Sequence, residues 1–255
     1  MSNPFYVPGQ HRAERVKSLF GQIASRYDLI NDLQSFGLHR VWKTRLVTLA
    51  RVSPGEQALD VCCGTGDLAI ALNEQGATAI GLDFTEEMLA IAASRKPKVQ
   101  SSKSKASSPT VSGQNRCHLE FTKGDAIQLP FPGDTFDIVT VGYGLRNLSD
   151  WQTGLSEMRR VAKPGGRLLV LDFGKPENAL WRWLYFAYLR LFVPILGKVF
   201  CGDSSAYSYI LESLQHYPAQ KGVADKMHEL GLHQIRTINL LGGAMSIHYA
   251  EKTIK

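Results

Sequence analysis

Two glycines after a buried apolar run are the first candidates for chemistry in this chain. Residues 59–61 lead through two cysteines into Gly64, Thr65 and Gly66, and a helix is predicted to begin just after Gly66. Glycine at such a turn lets a ligand approach the backbone, and the helix start offers free N–H groups. The spacing Gly64-x-Gly66-x-x-Ala69 fits the relaxed dinucleotide fingerprint. NAD and S-adenosylmethionine are therefore both candidate ligands, and a tight turn without ligand is the third interpretation.

An acidic residue follows the next predicted strand. Asp83 ends the apolar run 79–82, seventeen residues after Gly66. A carboxylate at that position can accept hydrogen bonds from both hydroxyls of a ribose. A helix-capping or solvated aspartate is the alternative, but Thr85 is already a good N-cap for the following helix. The sequence therefore favours a ribose role for Asp83.

Two further turns follow predicted strands. Asp125 and Ala126 come after the third strand, where a carboxylate and a backbone N–H could recognise adenine. Gly142 and Arg146 come after the fourth strand. Ligands of open α/β sheets bind outside the carboxyl ends of the strands. We expect Arg146 to belong to such a site, with a surface salt bridge as the alternative.

The elements that must position these residues alternate between strands and helices. Short apolar runs recur at residues 58–61, 78–82, 118–122, 136–141 and 167–171. Helical patterns between most of them predict an α/β fold, with helices on both faces of a mostly parallel sheet. Residues 235–251 predict a closing antiparallel hairpin. Because helices at 12–23 and 41–50 precede the sheet, we expect a helical cap over residues 1–52 and a main domain over residues 53–255.

Composition describes a soluble globular chain without a nucleic-acid partner. The 255 residues are 44% apolar and 20% charged, and their 4 cysteines form no C-x-x-C pair. We expect no zinc site, no disulfide and a cytoplasmic location, because neither a signal peptide nor a transmembrane segment is evident. Five of the +6 net charges lie between residues 96 and 116. Residues 97–115 hold six serines and no aromatic residue, which predicts a disordered insert that does not stack on bases.

Residues 180–200 carry seven aromatic side chains beside three basic ones. This composition fits an amphipathic helix that rests on a membrane surface and admits a lipid tail. A core helix or a homodimer interface is an equally good interpretation. Peripheral membrane contact and dimerisation are therefore both open.

Longer motifs extend over most of the chain. In sequence order they are Phe20-x-x-Ile23-Ala24-x-x-Tyr27-Asp28-x-x-Asn31-Asp32-x-x-Ser35-Phe36-Gly37-x-His39-Arg40-x-Trp42-Lys43, Cys63-Gly64-Thr65-Gly66-Asp67-Leu68, Gly144-Leu145-Arg146-Asn147, Met158-x-Arg160-Val161-x-Lys163-Pro164-Gly165-Gly166 and Tyr207-x-Tyr209-x-x-Glu212-Ser213. This series resembles the ubiquinone/menaquinone biosynthesis C-methyltransferase family.

The resemblance implies a class I S-adenosylmethionine-dependent methyltransferase fold and the C-methylation of a prenylated quinol. In such relatives Thr65, Asp83 and the Asp125-Ala126 pair contact the cofactor. A further cofactor position of the family, often serine, falls on Gly142, where only a backbone contact is available.

The resemblance leaves the quinol ring open. Residues 141–147 are similar to the phylloquinone branch, whereas the tyrosine motif that starts at Tyr207 is similar to the menaquinone and ubiquinone branch. We expect a demethylmenaquinol or a ubiquinone precursor as substrate, with demethylphylloquinol as the alternative. An NAD-dependent oxidoreductase and an inactive cofactor-binding subunit are hypotheses from other classes.

The implied reaction needs a ring carbon that is activated by loss of a hydroxyl proton. Arg146 is the candidate catalytic residue because its charge can stabilise the phenolate or polarise a water, although it is a poor direct base. Tyr27, Asp32, His39 and Asp172 are alternatives, and for each of them a structural role is the favoured interpretation.

Overall fold

The computed structural model describes residues 10–96, 118–201, 211 and 213–254. The serine-rich segment at 97–115, together with Tyr207, Tyr209 and Glu212 of the tyrosine motif, lies outside the described residues.

Seven strands form one sheet in the described part of the chain. They are β1 (Gln57–Val61), β2 (Thr78–Asp83), β3 (Leu119–Lys123), β4 (Phe136–Gly142), β5 (Ala162–Phe173), β6 (Leu232–Leu240) and β7 (Met245–Lys252). Their order is β3-β2-β1-β4-β5-β7-β6, and β1 to β5 are parallel. Strand β7 is antiparallel to both β5 and β6, which confirms the predicted closing hairpin.

The fifth strand is longer than its apolar run indicates. It begins at Ala162, directly after a helix, and includes Pro164. Pairing with β7 begins only at Arg167, so the first residues of β5 have no partner on that side. A proline there removes no ladder hydrogen bond on the unpaired side, which is why the strand tolerates it.

Eight α-helices with defined bounds surround this sheet in the described residues, and residues 213–216 are also helical. The eight are α1 (Gln10–Ile23), α2 (Tyr27–Ser35), α3 (Leu38–Ala50), α4 (Asp67–Glu74), α5 (Glu86–Ser94), α6 (Trp151–Val161), α7 (Ala179–Cys201) and α8 (Ala219–Glu229). The expected helices are present, whereas α2 and α8 were not predicted. Within the same residues, none of the helices combines the length and the apolar composition needed to cross a membrane.

A hydrophobic core lies on each face of the sheet. Successive residues of a strand point to opposite faces. Leu59 and Leu168 therefore pack in one core, with side chains of α6 and α8. Ala58 and Leu169 pack in the other core, with side chains of α3 and α4. Burial on both faces explains why the central strands appear in the sequence as continuous apolar runs.

Candidate functional site

The carboxyl ends of β1 to β4 surround a cavity of about 80 Å³, which we call the sheet-edge cavity. Five of the predicted cofactor residues line it, and they come from four separate turns: Gly64, Asp83, Asp125, Ala126 and Gly142. Side chains of α1 and α2, among them Phe20 and Tyr27, cover the same cavity.

The Asp83 carboxylate stabilises the turn that follows β1. Its Oδ2 accepts a hydrogen bond from Gly64 N–H at 2.9 Å, and its Oδ1 accepts one from Thr85 N–H at 2.9 Å. Burial raises the pKa of this carboxyl above its ordinary value. Each oxygen has a second lone pair, so the group can also accept hydrogen bonds from a ligand in the cavity.

The cap of α5 differs from the expectation. Thr85 occupies the N-cap position, but its side chain forms no capping hydrogen bond. Asp83 instead accepts the N–H of Thr85 itself. The expected capping hydrogen bond of Thr85 is therefore absent, and the Asp83 carboxylate has a structural role because it stabilises both neighbouring turns.

Thr65 and Gly66 do not line the sheet-edge cavity. Thr65 is buried, and its hydroxyl donates to Oδ1 of Asp28 in α2 at 3.0 Å. Gly66 has a φ of +87°, and a Cβ there would lie 2.7 Å from the ring of Phe121. Thr65 therefore connects this turn to α2 through a hydrogen bond, and Gly66 lets the ring of Phe121 pack closely against the turn.

The other turns leave the cavity open to a ligand. Asp125 is exposed and its Oδ1 accepts the N–H of Ile127 at 3.0 Å, which fixes the turn. Gly142 closes the opposite side, and a Cβ there would lie 2.7 Å from Leu68 Cδ1. A side chain on Gly64 would meet nothing nearer than Tyr27 at 3.9 Å, so the backbone there faces open space.

A second and larger cavity of about 360 Å³ lies between the N-terminal helices and α7. We call it the apolar cavity. Side chains of α1, α2, α3 and α7 line it, and most of them are apolar. Phe20, Tyr27 and Tyr143 line both cavities, so these three side chains form the boundary between the two spaces.

Arg146 lines the apolar cavity and is paired in a buried ion pair. Its Nη1 donates to Asp172 Oδ1 at 2.8 Å and to the carbonyl of Tyr143 at 2.7 Å. Asp172 Oδ2 also accepts the backbone N–H of Arg146 at 3.1 Å. The guanidinium lies 4.3 Å from the centre of the Phe173 ring. Both ionic side chains are at most 6% exposed, which excludes the surface salt bridge considered from the sequence.

Tyr143 joins the two cavities in a strained conformation. Its φ is +63°, a value that is uncommon for a residue with a side chain. Burial raises the pKa of Tyr143 and of Tyr27 above the ordinary tyrosine value. Both phenols therefore stay protonated at neutral pH and can donate hydrogen bonds, but neither suits the role of a base.

The remaining candidates fall into two groups. His39 lines the apolar cavity, and Asp32 forms a 2.8 Å contact with it from α2. His248 of β7 is a histidine of the closing hairpin for which the sequence also favours a structural role, and it lines neither cavity. The sequence named Asp32 and His39 separately as alternatives to Arg146, but it indicated neither their contact nor the boundary at Tyr143, because residues on different helices and loops are brought together only by the fold.

The residues of the sheet-edge cavity fit S-adenosylmethionine. Asp83 offers acceptors for a ribose, and the backbone at Gly64 borders open space. When bound, this cofactor supplies an electrophilic methyl group on a sulfonium. The Asp125–Ala126 turn lies where an adenine could be held. The boundary side chains Phe20, Tyr27 and Tyr143 then border both the cofactor and whatever occupies the apolar cavity.

Known proteins resemble this chain over nearly its full length. The profile of the ubiE/COQ5 methyltransferase family matches residues 9–252. The ubiquinone/menaquinone biosynthesis C-methyltransferase UbiE of Pseudomonas fluorescens is 39% identical over 95% of this chain and 90% of its own length. The demethylmenaquinone methyltransferase of Bacillus licheniformis is 37% identical over 95% of this chain and 99% of its own length.

The fold recurs in solved methyltransferase structures. An S-adenosylmethionine-dependent methyltransferase from Aquifex aeolicus has a TM-score of 0.54 at 19% identity, over 82% of this chain and 88% of that chain. The sheet with its antiparallel β7 also departs from the strand order of dinucleotide-binding folds. The oxidoreductase hypothesis is thereby excluded, and the fold, enzyme class and cofactor expected from the resemblance are confirmed. The chain belongs to the ubiE/COQ5 methyltransferase family.

Proposed function

We propose that this enzyme transfers the methyl group of S-adenosylmethionine to a ring carbon of a reduced, prenylated quinone. The favoured substrates are demethylmenaquinol and the corresponding ubiquinone precursor. Relatives with 36–39% identity are named for these two pathways, which supports the proposal.

One observation carries the proposal: an apolar cavity adjoins the cofactor cavity and holds a buried guanidinium. A quinol has an apolar tail and two ring oxygens, and the cavity offers a mostly apolar lining with few polar groups. Arg146 is positioned to interact with a ring oxygen, because it lines this cavity beside the boundary residue Tyr143. We therefore assign the apolar cavity to the quinol.

Arg146 acts by stabilising charge. A hydroquinone carbon is a weak nucleophile until its hydroxyl loses a proton, and the positive guanidinium favours the resulting phenolate. The ion pair with Asp172 holds the guanidinium in place before the substrate arrives, so no reorganisation is needed during the reaction. Tyr27 and Tyr143 exclude water at the boundary between the two cavities.

The test is product analysis with labelled S-adenosylmethionine. Chemically reduced demethylmenaquinol, demethylphylloquinol and the methoxybenzoquinol precursor are each incubated with the enzyme, and the oxidised quinones serve as controls. Label in the menaquinol or ubiquinol product, and none with the oxidised forms, supports the proposal. Label in phylloquinol alone would select the alternative branch, and label in none of the three would refute the proposed function.

The outer face of α7 supports peripheral membrane contact. Tyr185, Leu189 and Val193 bury one side of this helix. The other side exposes Trp183 and Leu191, each 66% accessible to solvent. Two arginines, at positions 182 and 190, are exposed on the same helix and suit anionic lipid headgroups.

This exposed surface is continuous with the apolar cavity. Phe36, Leu184 and Leu241 line the cavity and are at the same time exposed to solvent. We propose that they form an entrance through which a prenyl tail passes from the bilayer. A homodimer through α7 is the competing arrangement.

Vesicle flotation tests this docking mode. With vesicles of phosphatidylcholine and phosphatidylglycerol, the double variant Trp183→Ser/Leu191→Ser should float several-fold less than the wild type. Ile254→Ser is the matched control, because Ile254 is 73% exposed and does not belong to α7. Equal flotation of all three proteins would contradict the proposal, and a shift from dimer to monomer in the α7 variant alone would favour the homodimer.

A further inference from the structure

One histidine in the apolar cavity has a ring nitrogen without a partner. The side chain of His39 lines this cavity and is 3% exposed. Its Nε2 lies 2.8 Å from Asp32 Oδ1, whereas its Nδ1 is buried and forms no hydrogen bond. Buried polar atoms are nearly always paired, so an unpaired nitrogen on a side chain that lines a ligand cavity calls for an explanation.

The neighbours of His39 fix which nitrogen carries the proton. Asp32 accepts two hydrogen bonds from Arg40, at 2.8 and 2.7 Å. These bonds, with the one to His39, hold the pKa of Asp32 well below its ordinary value, so Asp32 stays anionic. A carboxylate can only accept, and Nε2 must therefore donate to it. In the neutral imidazole, Nδ1 is then left as a free acceptor.

The imidazole of His39 is also in the protonation state that lets Nδ1 accept a proton. Burial lowers the pKa of His39 below its ordinary value, so the ring is neutral at pH 7. The charged groups that act on it are Asp32 in α2, Lys43 in α3 and Asp67 at the start of α4. Asp32 and Asp67 favour the protonated ring, and Lys43 opposes it. Because Asp32 contacts the ring directly, its carboxylate stabilises an imidazolium that forms during the reaction.

We propose that His39 Nδ1 is the general base that removes the hydroxyl proton of the quinol, with Asp32 as its positioning residue. This inference rests on the proposed function. In the apolar cavity, His39 takes the proton and Arg146 stabilises the phenolate that remains. An Asp–His pair is a recurring arrangement for such a base, because the carboxylate fixes the tautomer and supports the imidazolium.

The bonds and protons balance without a further reactant. The O–H proton moves to Nδ1, and the electron pair of the ring carbon forms the new bond to the methyl group. The C–S pair stays on sulfur, which becomes a neutral thioether. His39 returns its proton to the oxygen and takes the proton of the methylated carbon, so the ring regains aromaticity. One proton is finally released to solvent, as the overall transfer requires.

The principal variant is His39→Asn, and His248→Asn is its matched control. His248 is equally buried and also has an unpaired Nδ1, but it lines neither cavity. Single-turnover rates with reduced quinol are measured between pH 5 and 9. The wild-type rate should fall only at a pH below the ordinary histidine pKa of about 6.5, because burial lowers the pKa of His39 and Nδ1 is protonated only there. His39→Asn should lose about 10²-fold or more in rate, together with this acidic limb.

Two measurements separate chemistry from folding. Calorimetric binding of S-adenosylmethionine should be unchanged in His39→Asn, and added imidazole should restore part of the activity to His39→Gly. Histidine NMR of the wild type should show a proton on Nε2 and none on Nδ1 at pH 7. A His39→Asn rate that matches the control, with the acidic limb intact, would overturn the inference.

If His39→Asn does not fold, Asp32→Asn replaces it. The amide can donate to Nε2 and so move the ring proton to Nδ1, which should cost at least about tenfold in rate. Asp225→Asn is the matched control, because this aspartate of α8 forms an exposed ion pair with Lys221 and lines neither cavity, so it should retain most of the rate. An Asp32→Asn rate equal to that of Asp225→Asn would refute the inference. Because all comparisons need an active wild type, a wild type without activity on any quinol would refute the proposed function instead.

Discussion

Removing Asp172 should destabilise the fold by leaving Arg146 without its counter-charge. Asp172→Ala deletes the acceptors of three hydrogen bonds, two from Arg146 at 2.8 and 3.1 Å and one from Phe173 N–H at 2.8 Å. Breaking a buried ion pair from one side costs about 3–5 kcal/mol. At about 2–4 °C per kcal/mol for a domain of this size, the melting temperature should fall by about 6–20 °C.

A double variant shows whether the uncompensated charge of Arg146 causes the loss of stability in Asp172→Ala. Arg146→Met/Asp172→Leu removes both charges and replaces them with apolar side chains, which is often neutral for stability. Urea unfolding should place this variant within about 2 kcal/mol of the wild type, although it should not methylate quinol. The reasoning is refuted if the double variant is as unstable as Asp172→Ala, or if Asp172→Ala loses less than about 1 kcal/mol.

Four further predictions test other parts of the structure. Arg146→Gln should lose about 10²-fold in single-turnover rate with cofactor affinity retained, while Arg146→Lys keeps part of the rate because its charge remains. Asp83→Ala should weaken S-adenosylmethionine binding by about 1.5–3 kcal/mol in calorimetry, and unchanged affinity would remove the ribose role. Gly66→Ala should lower the free energy of unfolding by more than about 1 kcal/mol, because its φ is +87° and its Cβ would meet the ring of Phe121. Gly142→Ser should be tolerated, because its Cβ would meet only the terminal methyl group of Leu68, which can move. Burial lowers the pKa of His248, so the unfolded chain binds more protons than the folded protein at acidic pH. The free energy of unfolding should therefore fall as the pH drops below about 6.5, and urea unfolding should show a smaller fall for His248→Asn.

The sequence by itself determined the order of strands and helices and the sheet edge that holds the cofactor residues. Both follow from local information. A strand buried on two faces needs a continuous apolar run, as in β1, and a tight turn into a helix needs glycine, as at Gly64. Because parallel strands end at one edge, Asp83 and Asp125 could be assigned to a common site from their positions after two strands.

The roles of individual side chains were decided only by tertiary contacts. Thr65 was expected at the cofactor, but its hydroxyl turns to Asp28 in a helix 37 residues away in the chain. Arg146 was identified from its turn, yet its partner lies 26 residues further on, at the end of β5. Spacing along the chain carries no information about such contacts, because they depend on how separate elements pack.

The apolar cavity is likewise a property of the tertiary structure. Tyr27 of α2 and His39 of α3 line this cavity together with side chains of α1, of the loop after β4 and of α7. In the sequence these side chains fit equally well into a core or an interface, since hydrophobic burial is non-directional. Only the assembled helices leave a space between them, and Arg146 and His39 both line that space.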